Sequence, residues 1–430
     1  MTLATTSWLA PDAALPQRDA LLDSAVVAEC VARSIRPGHR VRVDRCERVR
    51  VNYQIGKSLR VLHRVEIEGC PMTVSARAFR EDRVAAAYRA AAADPFPVQP
   101  DATPAVFVSG SMNTVFWVFP NDRKITGLDE IIDGSITKTH PLPVEWHSTH
   151  LLAYAPEKSA TLACLDHESR VTAYAKVTAG NQAAQDYLRY RALEPLAARH
   201  PLLRLPRALA HVPQRHLLIL EPLGGRRMHD PSSDAAMDDV ARFGAALAAF
   251  HSFDFPDAPT FARFAPDRLV DARRQLTSVR PDVGGSVDAL VSDLMSRRPE
   301  QSAQSVCLHG DVHAKNAILA EDRIALIDLE DLAAGPAAAD IGSFLASMRY
   351  LRCGGVIRRN VDRALRAAFL GGYASIRPLP SAEEVRWHTS AALLIERILR
   401  AITRMRPLGL SQMPELLSAA RTVLTESCDE

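Results

Sequence analysis

The most informative stretch of the chain is Cys307-Leu-His-Gly-Asp-Val-His-Ala-Lys-Asn316, followed by Ile324-Ala-Leu-Ile-Asp-Leu-Glu330. It contains a carboxylate at Asp311, an amide five residues later at Asn316, and a second carboxylate at Asp328 where an apolar strand ends. Side-chain oxygens of this kind are the ligands that Mg²⁺ prefers. A strand that ends in an ionisable residue fixes such a ligand rigidly. The stretch therefore predicts a magnesium centre beside a carboxylate that accepts a proton.

On either side of this stretch the chain changes character. After Gly224, long amphipathic helical patterns dominate, with apolar residues at steps of three and four. Before it, two blocks at about 41–120 and 150–221 read as strands, a helix and strands again. We expect an α+β chain of three domains: an N-terminal α+β domain over 1–145, a β-rich domain over 146–223 and a helical domain over 224–430.

The two β-rich blocks resemble each other. Tyr53-Gln-Ile-Gly-Lys-Ser58 aligns with Tyr154-Ala-Pro-Glu-Lys-Ser159, and further matches follow at similar intervals, with Arg77 opposite Lys176. One interpretation is a duplication, in which the first block is a degenerate copy of the second. The other is that any two β-meanders with Lys and Ser in their turns look alike.

The composition excludes several classes of protein. Among 430 residues, 52 Lys and Arg nearly balance 50 Asp and Glu, which gives no case for a nucleic-acid partner. No apolar run approaches the about 20 residues that span a bilayer, so we expect no membrane segment. The seven cysteines are scattered, with none in a CxxC pair, and the N-terminus does not resemble a signal peptide. These features predict a cytoplasmic protein, whereas the sequence gives no indication of oligomeric state.

The pattern HGDxHxxN, an apolar strand and IDxE resembles the catalytic and metal-binding loops of the aminoglycoside phosphotransferase and choline kinase superfamily, which shares the protein-kinase fold. Further matches, such as Leu247-Ala-Ala-Phe-His251, extend the resemblance over roughly 150–430. It implies a bilobal kinase-like fold and the cofactors ATP and Mg²⁺. The implied reaction moves the γ-phosphate to a hydroxyl of a small molecule: a sugar, an aminoglycoside-like antibiotic or another metabolite.

The resemblance also implies roles for residues of the decisive stretch. Asp311 is expected to be the catalytic base, and Asn316 and Asp328 are expected to bind Mg²⁺. His309 is expected to be a structural residue of the loop.

Four further residues are implied to bind the nucleotide. Lys176 occupies the place of the phosphate-gripping lysine, and Asp186 is the nearest acidic candidate for its partner. Glu221 and Leu223 lie in the expected hinge, where ATP is expected to bind.

The chain departs from the family pattern in its first loop, 155–160, which contains no glycine and is therefore less free to close over phosphates. The extra N-terminal domain resembles the cap of sugar kinases such as maltokinases, in architecture only. Near the C-terminus, Arg397, Arg400, Arg404 and Arg406 form a basic face. This face is either solvated, paired with residues such as Glu396, or an anion-facing patch at the acceptor site.

Two alternatives use the same residues. A pseudokinase-like regulatory module is favoured by the glycine-free loop and the uncertain partner of Lys176. The second alternative is a metallohydrolase, because His309, Asp311 and His313 alternate along an extended segment and could face one metal ion.

Overall fold

The computed structural model describes residues 8–35, 41–93, 98, 103–228, 235–300, 304–320 and 322–425. The strands, numbered in chain order, are β1 (Val43–Gln54), β2 (Ser58–Ile67), β3 (Cys70–Ala78), β4 (Val106–Ser109), β5 (Thr114–Val118), β6 (Ser148–Ala155), β7 (Ser159–Leu165), β8 (Val171–Thr178), β9 (Leu203–Arg204), β10 (Ala208–Val212), β11 (Leu217–Leu220), β12 (Arg226–Arg227), β13 (Val306–Leu308), β14 (Ala317–Ala320), β15 (Arg323–Leu326) and β16 (Ala333–Gly335).

The α-helices are α1 (Arg18–Leu22), α2 (Ser24–Ile35), α3 (Glu81–Ala92), α4 (Leu128–Ile132), α5 (Ile136–Thr139), α6 (Gln182–Ala198), α7 (Ala235–Phe250), α8 (Pro266–Val279), α9 (Gly284–Ser296), α10 (Ala337–Cys353), α11 (Arg359–Ala374), α12 (Ala382–Ala392), α13 (Arg400–Thr403), α14 (Pro407–Ser411) and α15 (Met413–Thr425). A π-helical segment, Leu393–Leu399, joins α12 to α13.

The chain divides into two compact units. The β-rich unit comprises Met1–Gln185, Leu209–Leu220 and Thr403–Met405. The helical unit comprises Asp186–Ala208, Glu221–Ile402 and Arg406–Glu430. The predicted α+β fold, with sheets toward the N-terminus and helices toward the C-terminus, is confirmed. The division into three domains at 145 and 223 stays a prediction.

The β-rich unit contains two five-stranded sheets with the same strand order. The first runs β1-β2-β3-β5-β4, and the second runs β6-β7-β8-β11-β10. In each, three strands follow one another along the chain, a helix (α3 or α6) comes next, and the last strand returns beside the third. The similarity of the two blocks therefore extends to their topology, which supports duplication over a chance likeness of two meanders.

The third strands carry Arg77 and Lys176 in the same register. Arg77 pairs with Arg60, the third residue of β2, and Lys176 pairs with Thr161, the third residue of β7. The turns that precede β2 and β7 are both three residues long. Arg77 and Lys176 thus occupy equivalent positions in the two sheets, as the sequence alignment predicts.

One face of the second sheet is buried in its own core. In β8, Ala173, Ala175 and Val177 are buried in this core, while Lys176 between them is only half-buried, because successive side chains of a strand point to opposite faces. Residues from the segment before β6 share this core: Ile125, Leu128, Ile131, Ile136 and Trp146. This segment therefore packs on the second sheet, although the sequence predicts a first domain that extends to 145.

The helical unit holds two small sheets. The first has the order β12-β14-β15-β9, and β13 pairs with β16 in the second. Among the helices, α7 and α11 approach closely. A Cβ at Gly372 would lie 1.9 Å from the carbonyl oxygen of Ala241, so only glycine permits this packing. In the ranges described above, no helix is both long and apolar enough to cross a bilayer.

Candidate functional site

A buried carboxylate holds the loop that follows β13. Asp340, in the first turn of α10, is 1% exposed and accepts hydrogen bonds from the amides of His309 at 2.7 Å and Gly310 at 3.0 Å. Gly310 has a φ of +81°, and a Cβ there would lie 1.9 Å from the carbonyl oxygen of Asp331. Glycine is therefore required at this position. These contacts fix the loop from which Asp311 projects.

Both ring nitrogens of His309 are used within the protein. Its Nδ1 accepts the amide hydrogen of Asp311 at 3.3 Å, so Nε2 carries the proton and donates to the carbonyl oxygen of Ile327 at 3.0 Å. On the other side of the loop, His251 Nε2 lies 3.1 Å from the Asp340 carboxylate. This geometry agrees with the structural role expected for His309.

The carboxylate of Asp311 lies among basic side chains. Its Oδ2 is 3.4 Å from His313 Nε2, and its Oδ1 is 3.7 Å from Arg400 Nη1. Burial alone would raise the pKa of Asp311, but His313, Arg400 and Arg263 outweigh burial and hold this pKa well below its ordinary value. Asp311 is therefore ionised at neutral pH, which is the form that a general base needs.

The β14–β15 hairpin brings Asn316 and Asp328 together. Asn316 precedes β14, and its carbonyl oxygen accepts the amide hydrogen of Ile327, which follows β15, at 3.0 Å. Asp328 is the next residue. The buried side chain of Asn316 donates from Nδ2 to the carbonyl oxygen of Asp311 at 3.0 Å, which leaves its amide oxygen as the atom with the chemistry of a metal ligand. The predicted base and one predicted ligand are thus in contact.

The backbone of Asp328 is left-handed, with φ +66° and ψ +68°. This region disfavours residues with a Cβ, and strained conformations of this kind concentrate at functional sites. The amide of Asp328 donates to the Tyr190 hydroxyl of α6 at 3.0 Å, which helps to hold the conformation.

Asp186, on α6, is fully buried and accepts a hydrogen bond from Arg189 Nη1 at 3.2 Å. The same nitrogen donates to the carbonyl oxygens of Leu329 and Glu330, each at 2.8 Å. Helix α6 therefore holds the backbone that follows the predicted metal ligand. The role of Asp186 as partner of the phosphate-binding lysine stays a prediction.

The other predicted nucleotide-binding residues lie on β8 and in the hinge. Lys176 is half-buried on the face of β8 opposite the core. The Glu221 carboxylate accepts hydrogen bonds from Arg207 at 2.7 Å and Arg204 at 3.2 Å. Burial would raise the pKa of Glu221, but these arginines lower it below its ordinary value. The side chain of Glu221 is thus paired with arginines, and Leu223 is half-buried. The nucleotide-binding roles of Glu221 and Leu223 stay predictions.

The metallohydrolase alternative does not fit this geometry. His309, one of its three ligands, has no ring nitrogen left for a metal ion. Within the described ranges, no group of three or more His, Cys, Asp or Glu side chains is arranged to hold one. The pair Asn316 and Asp328 instead suits Mg²⁺, which usually takes one or two protein ligands and keeps waters and phosphates as the others.

Sequence reasoning misses one contributor to the site. Arg189 lies one helical turn after Asp186, and that spacing is the signal that could have identified it. Arg400, which belongs to the basic face predicted from the sequence, follows the π-helical segment Leu393–Leu399, and π-helical turns are frequent at functional sites. Because Arg397 is only 8% exposed and Arg400 faces Asp311, the interpretation of this basic face as merely solvated is wrong for these two residues.

Solved structures of several phosphotransferases resemble this chain. A thermostable mutant of aminoglycoside phosphotransferase APH(4)-Ia, in ternary complex with ADP and hygromycin B, is 14% identical; the match covers 70% of this chain and 100% of that one, with a TM-score of 0.50. The macrolide 2'-phosphotransferase MphH from Brachybacterium faecium is 17% identical over 70% of this chain and 100% of its own, with a TM-score of 0.45. A choline/ethanolamine kinase family protein from Mesorhizobium loti is 15% identical over 65% and 88%, with a TM-score of 0.42. At these identities the first match shows the fold alone.

No curated protein matches the sequence. The family model described as "Phosphotransferase enzyme family" (APH) matches residues 165–381, just over half of the chain. This range includes β8 with Lys176, the hinge, and the loops that carry Asp311, Asn316 and Asp328. The resemblance predicted from these motifs is confirmed, and the chain belongs to the phosphotransferase enzyme family.

Proposed function

We propose that this phosphotransferase moves the γ-phosphate of ATP to a hydroxyl group of a small molecule and requires Mg²⁺. The proposal rests on one observation. Asn316 contacts Asp311, and the carbonyl oxygen of Asn316 pairs with Ile327, the residue directly before Asp328. An ionised carboxylate, an amide oxygen and a second carboxylate are the groups that phosphoryl transfer requires of a protein.

Asn316 and Asp328 have the hard oxygen donors that fit Mg²⁺, which would neutralise charge on the phosphates when bound. Asp311 orients the acceptor hydroxyl and takes its proton. The acceptor oxygen forms the new bond to the γ-phosphorus, the bond from this phosphorus to the bridging oxygen breaks, and ADP leaves. Lys176 binds the phosphates, while Arg189 holds the backbone after Asp328 rigid.

The charges around Asp311 favour an acceptor without amino groups. Asp331 and Glu396 both bind Arg263, at 3.0 and 2.7 Å, and Asp311 faces Arg400. A polycationic aminoglycoside would need carboxylates that are not already paired with arginine. The acceptor is therefore a neutral or anionic hydroxyl compound, such as a sugar or a sugar acid.

A transfer assay with labelled ATP tests the proposal. The acceptors form a panel matched in hydroxyl groups but graded in charge: sugar acids, neutral sugars, amino sugars and aminoglycosides. We expect magnesium-dependent transfer to a member of the first two groups, and none by Asp311→Asn. Transfer confined to the amino compounds would contradict the acceptor class, and no transfer to any member together with no binding of ATP would contradict the function.

A further inference from the structure

The turn between β6 and β7 carries a buried glutamate. Glu157 is 7% exposed although it lies at the tip of a hairpin, and its backbone is left-handed, with φ +60°. Glycine is the usual residue in this conformation. The corresponding residue in the β1–β2 turn is Gly56, with φ +67°. The side chain of Glu157 must therefore contribute something that offsets the backbone cost.

The two turns are otherwise anchored alike. Each is tied to an aspartate by the hydroxyl of the tyrosine near the end of the preceding strand and by the amide of the turn residue. The sets are Asp12 with Tyr53 and Gly56, at 2.5 and 3.0 Å, and Asp122 with Tyr154 and Glu157, at 2.6 and 2.9 Å. The aspartates lie six residues before α1 and α4, respectively. The repeated anchor shows that Glu157 and Gly56 occupy equivalent positions, so a charged side chain stands in the second turn where the first has none.

Three arginines surround the Glu157 carboxylate. Its Oε2 accepts hydrogen bonds from Arg123 at 2.7 Å and from Arg77, and Arg60 Nη1 lies 3.7 Å away. Arg60 and Arg77 belong to the first sheet. Burial would raise the pKa of Glu157, but the hydrogen bonds from Arg123 and Arg77 lower it below its ordinary value, so Glu157 is ionised.

The β6–β7 turn as a whole is seated on the first sheet. Arg60 also donates to the carbonyl oxygen of Pro156 at 3.3 Å. The cavity that remains there, lined among others by Arg50, Asn52 and Lys158, measures about 20 Å³. This is room for a single water molecule. The turn is therefore held by charge and by close packing.

We propose that the first sheet is a clamp that holds the β6–β7 hairpin in place beside the nucleotide phosphates, with Glu157 as the positioning residue. This inference rests on the proposed function, in which Lys176 binds the phosphates. Lys176 pairs with Thr161, the third residue after the turn, so phosphates bound to Lys176 lie close to the hairpin. Arg77, its counterpart in the first sheet, binds the carboxylate of Glu157 instead.

The clamp gives a physical reason for the missing glycine. A glycine-rich loop is free in the unbound protein and becomes ordered when it closes on phosphates, which costs conformational entropy. A hairpin that is already fixed avoids this cost at the moment of binding. Glu157 therefore contributes to nucleotide affinity without touching the nucleotide.

Steady-state kinetics of Glu157→Gln test the clamp. We expect the KM for ATP to rise about tenfold, with kcat and the KM for the acceptor changed less than twofold. Arg77→Ala should raise the KM for ATP in the same direction, and the double variant should not exceed Glu157→Gln, because both changes remove one interaction. Arg64→Ala, an exposed arginine on the same strand as Arg60, is the matched control. An unchanged KM for ATP in Glu157→Gln, or a loss confined to kcat, would overturn the inference.

Hydrogen exchange in the absence of nucleotide tests the clamp independently of activity. Amides of residue 155 and of residues 157–160 should exchange about tenfold faster in Glu157→Gln than in the natural protein, with α10 and α11 unchanged. Exchange that rises equally everywhere indicates global destabilisation and overturns the clamp, as does no change at the hairpin. If the natural protein does not bind ATP, the proposed function fails, whereas the exchange result still decides whether the first sheet holds the hairpin.

Discussion

The side-chain amide of Asn316 donates hydrogen bonds to both the carbonyl oxygen and the carboxylate of Asp311, at 3.0 and 3.4 Å. The proposed base and the proposed metal ligand therefore constrain each other. A change at either residue moves a partner as well as removing a function, so variants here should conserve shape.

Asp311→Asn conserves shape and removes the charge. We expect transfer to be lost while the Kd for ATP changes less than about threefold, because the carboxylate acts at the acceptor oxygen. Nucleotide titration calorimetry and the transfer assay measure the two effects. Asp257→Asn, in an exposed loop, is the control. Full transfer by Asp311→Asn would remove the proposed base.

Asp328→Ala should abolish the part of ATP affinity that depends on Mg²⁺, since no other side-chain oxygen replaces a carboxylate on this ion. Calorimetry with and without Mg²⁺ measures the difference. Asp322→Ala, at an exposed position in the turn between β14 and β15, should behave as the natural protein. Equal magnesium dependence in both variants would contradict the assignment of Asp328.

Lys176→Ala should lower kcat/KM by about 10² to 10³, in line with other electrostatic contacts to a transition state. Lys176→Arg should not restore it, because the planar guanidinium does not replace the compact ammonium as a point contact to phosphate. Lys124→Ala, an exposed lysine, serves as control. Near-normal kinetics of Lys176→Ala would show that this position has no phosphate role.

Folding stability should fall in mild acid because of His63. This side chain is fully buried, its Nε2 has no hydrogen-bond partner among the described residues, and burial lowers its pKa to about 4. The unfolded chain binds a proton near pH 6.5, so between pH 6.5 and 4 it holds more protons than the folded chain, and stability decreases as the pH falls. The expected contribution is about 2 kcal/mol at pH 5.

Urea unfolding at pH 7 and pH 5 measures this loss. His63→Leu should lose less stability between these values than the natural protein, because the leucine does not titrate. His167→Leu, at an exposed site, should lose as much as the natural protein. If His63→Leu and His167→Leu show the same pH dependence, His63 is not the source.

The site could be predicted from the sequence where its residues are close along the chain. Asp311 and Asn316 are five residues apart, and a hairpin of two short strands returns the chain to Asp328, so short-range reasoning was sufficient to expect the three residues close together. Their roles stay predictions. The fold class followed from the change in periodicity after Gly224. The family resemblance was confirmed because it rested on several motifs in a fixed order.

Contacts between distant segments could not be predicted. Arg400 reaches Asp311 from 89 positions away, and only the packing of helices decides that this arginine is the one that faces it. The carboxylate of Glu157 is bound by Arg77, 80 residues earlier. Similarly, the apolar residues of α4 show that this helix packs on a core, but their pattern does not indicate which of the two sheets it packs on.

Because the backbone of Asp328 is left-handed, selection for stability and selection for activity favour different residues at this position. Asp328→Gly and Asp328→Ala lose the same carboxylate, but glycine relieves the conformation and alanine does not. We expect the glycine variant to be more stable than the alanine variant by about 1 kcal/mol, with both inactive, as chemical denaturation and the transfer assay would record. A random search for thermostable variants would therefore enrich substitutions that inactivate the protein at this position, and only selection for activity retains the aspartate.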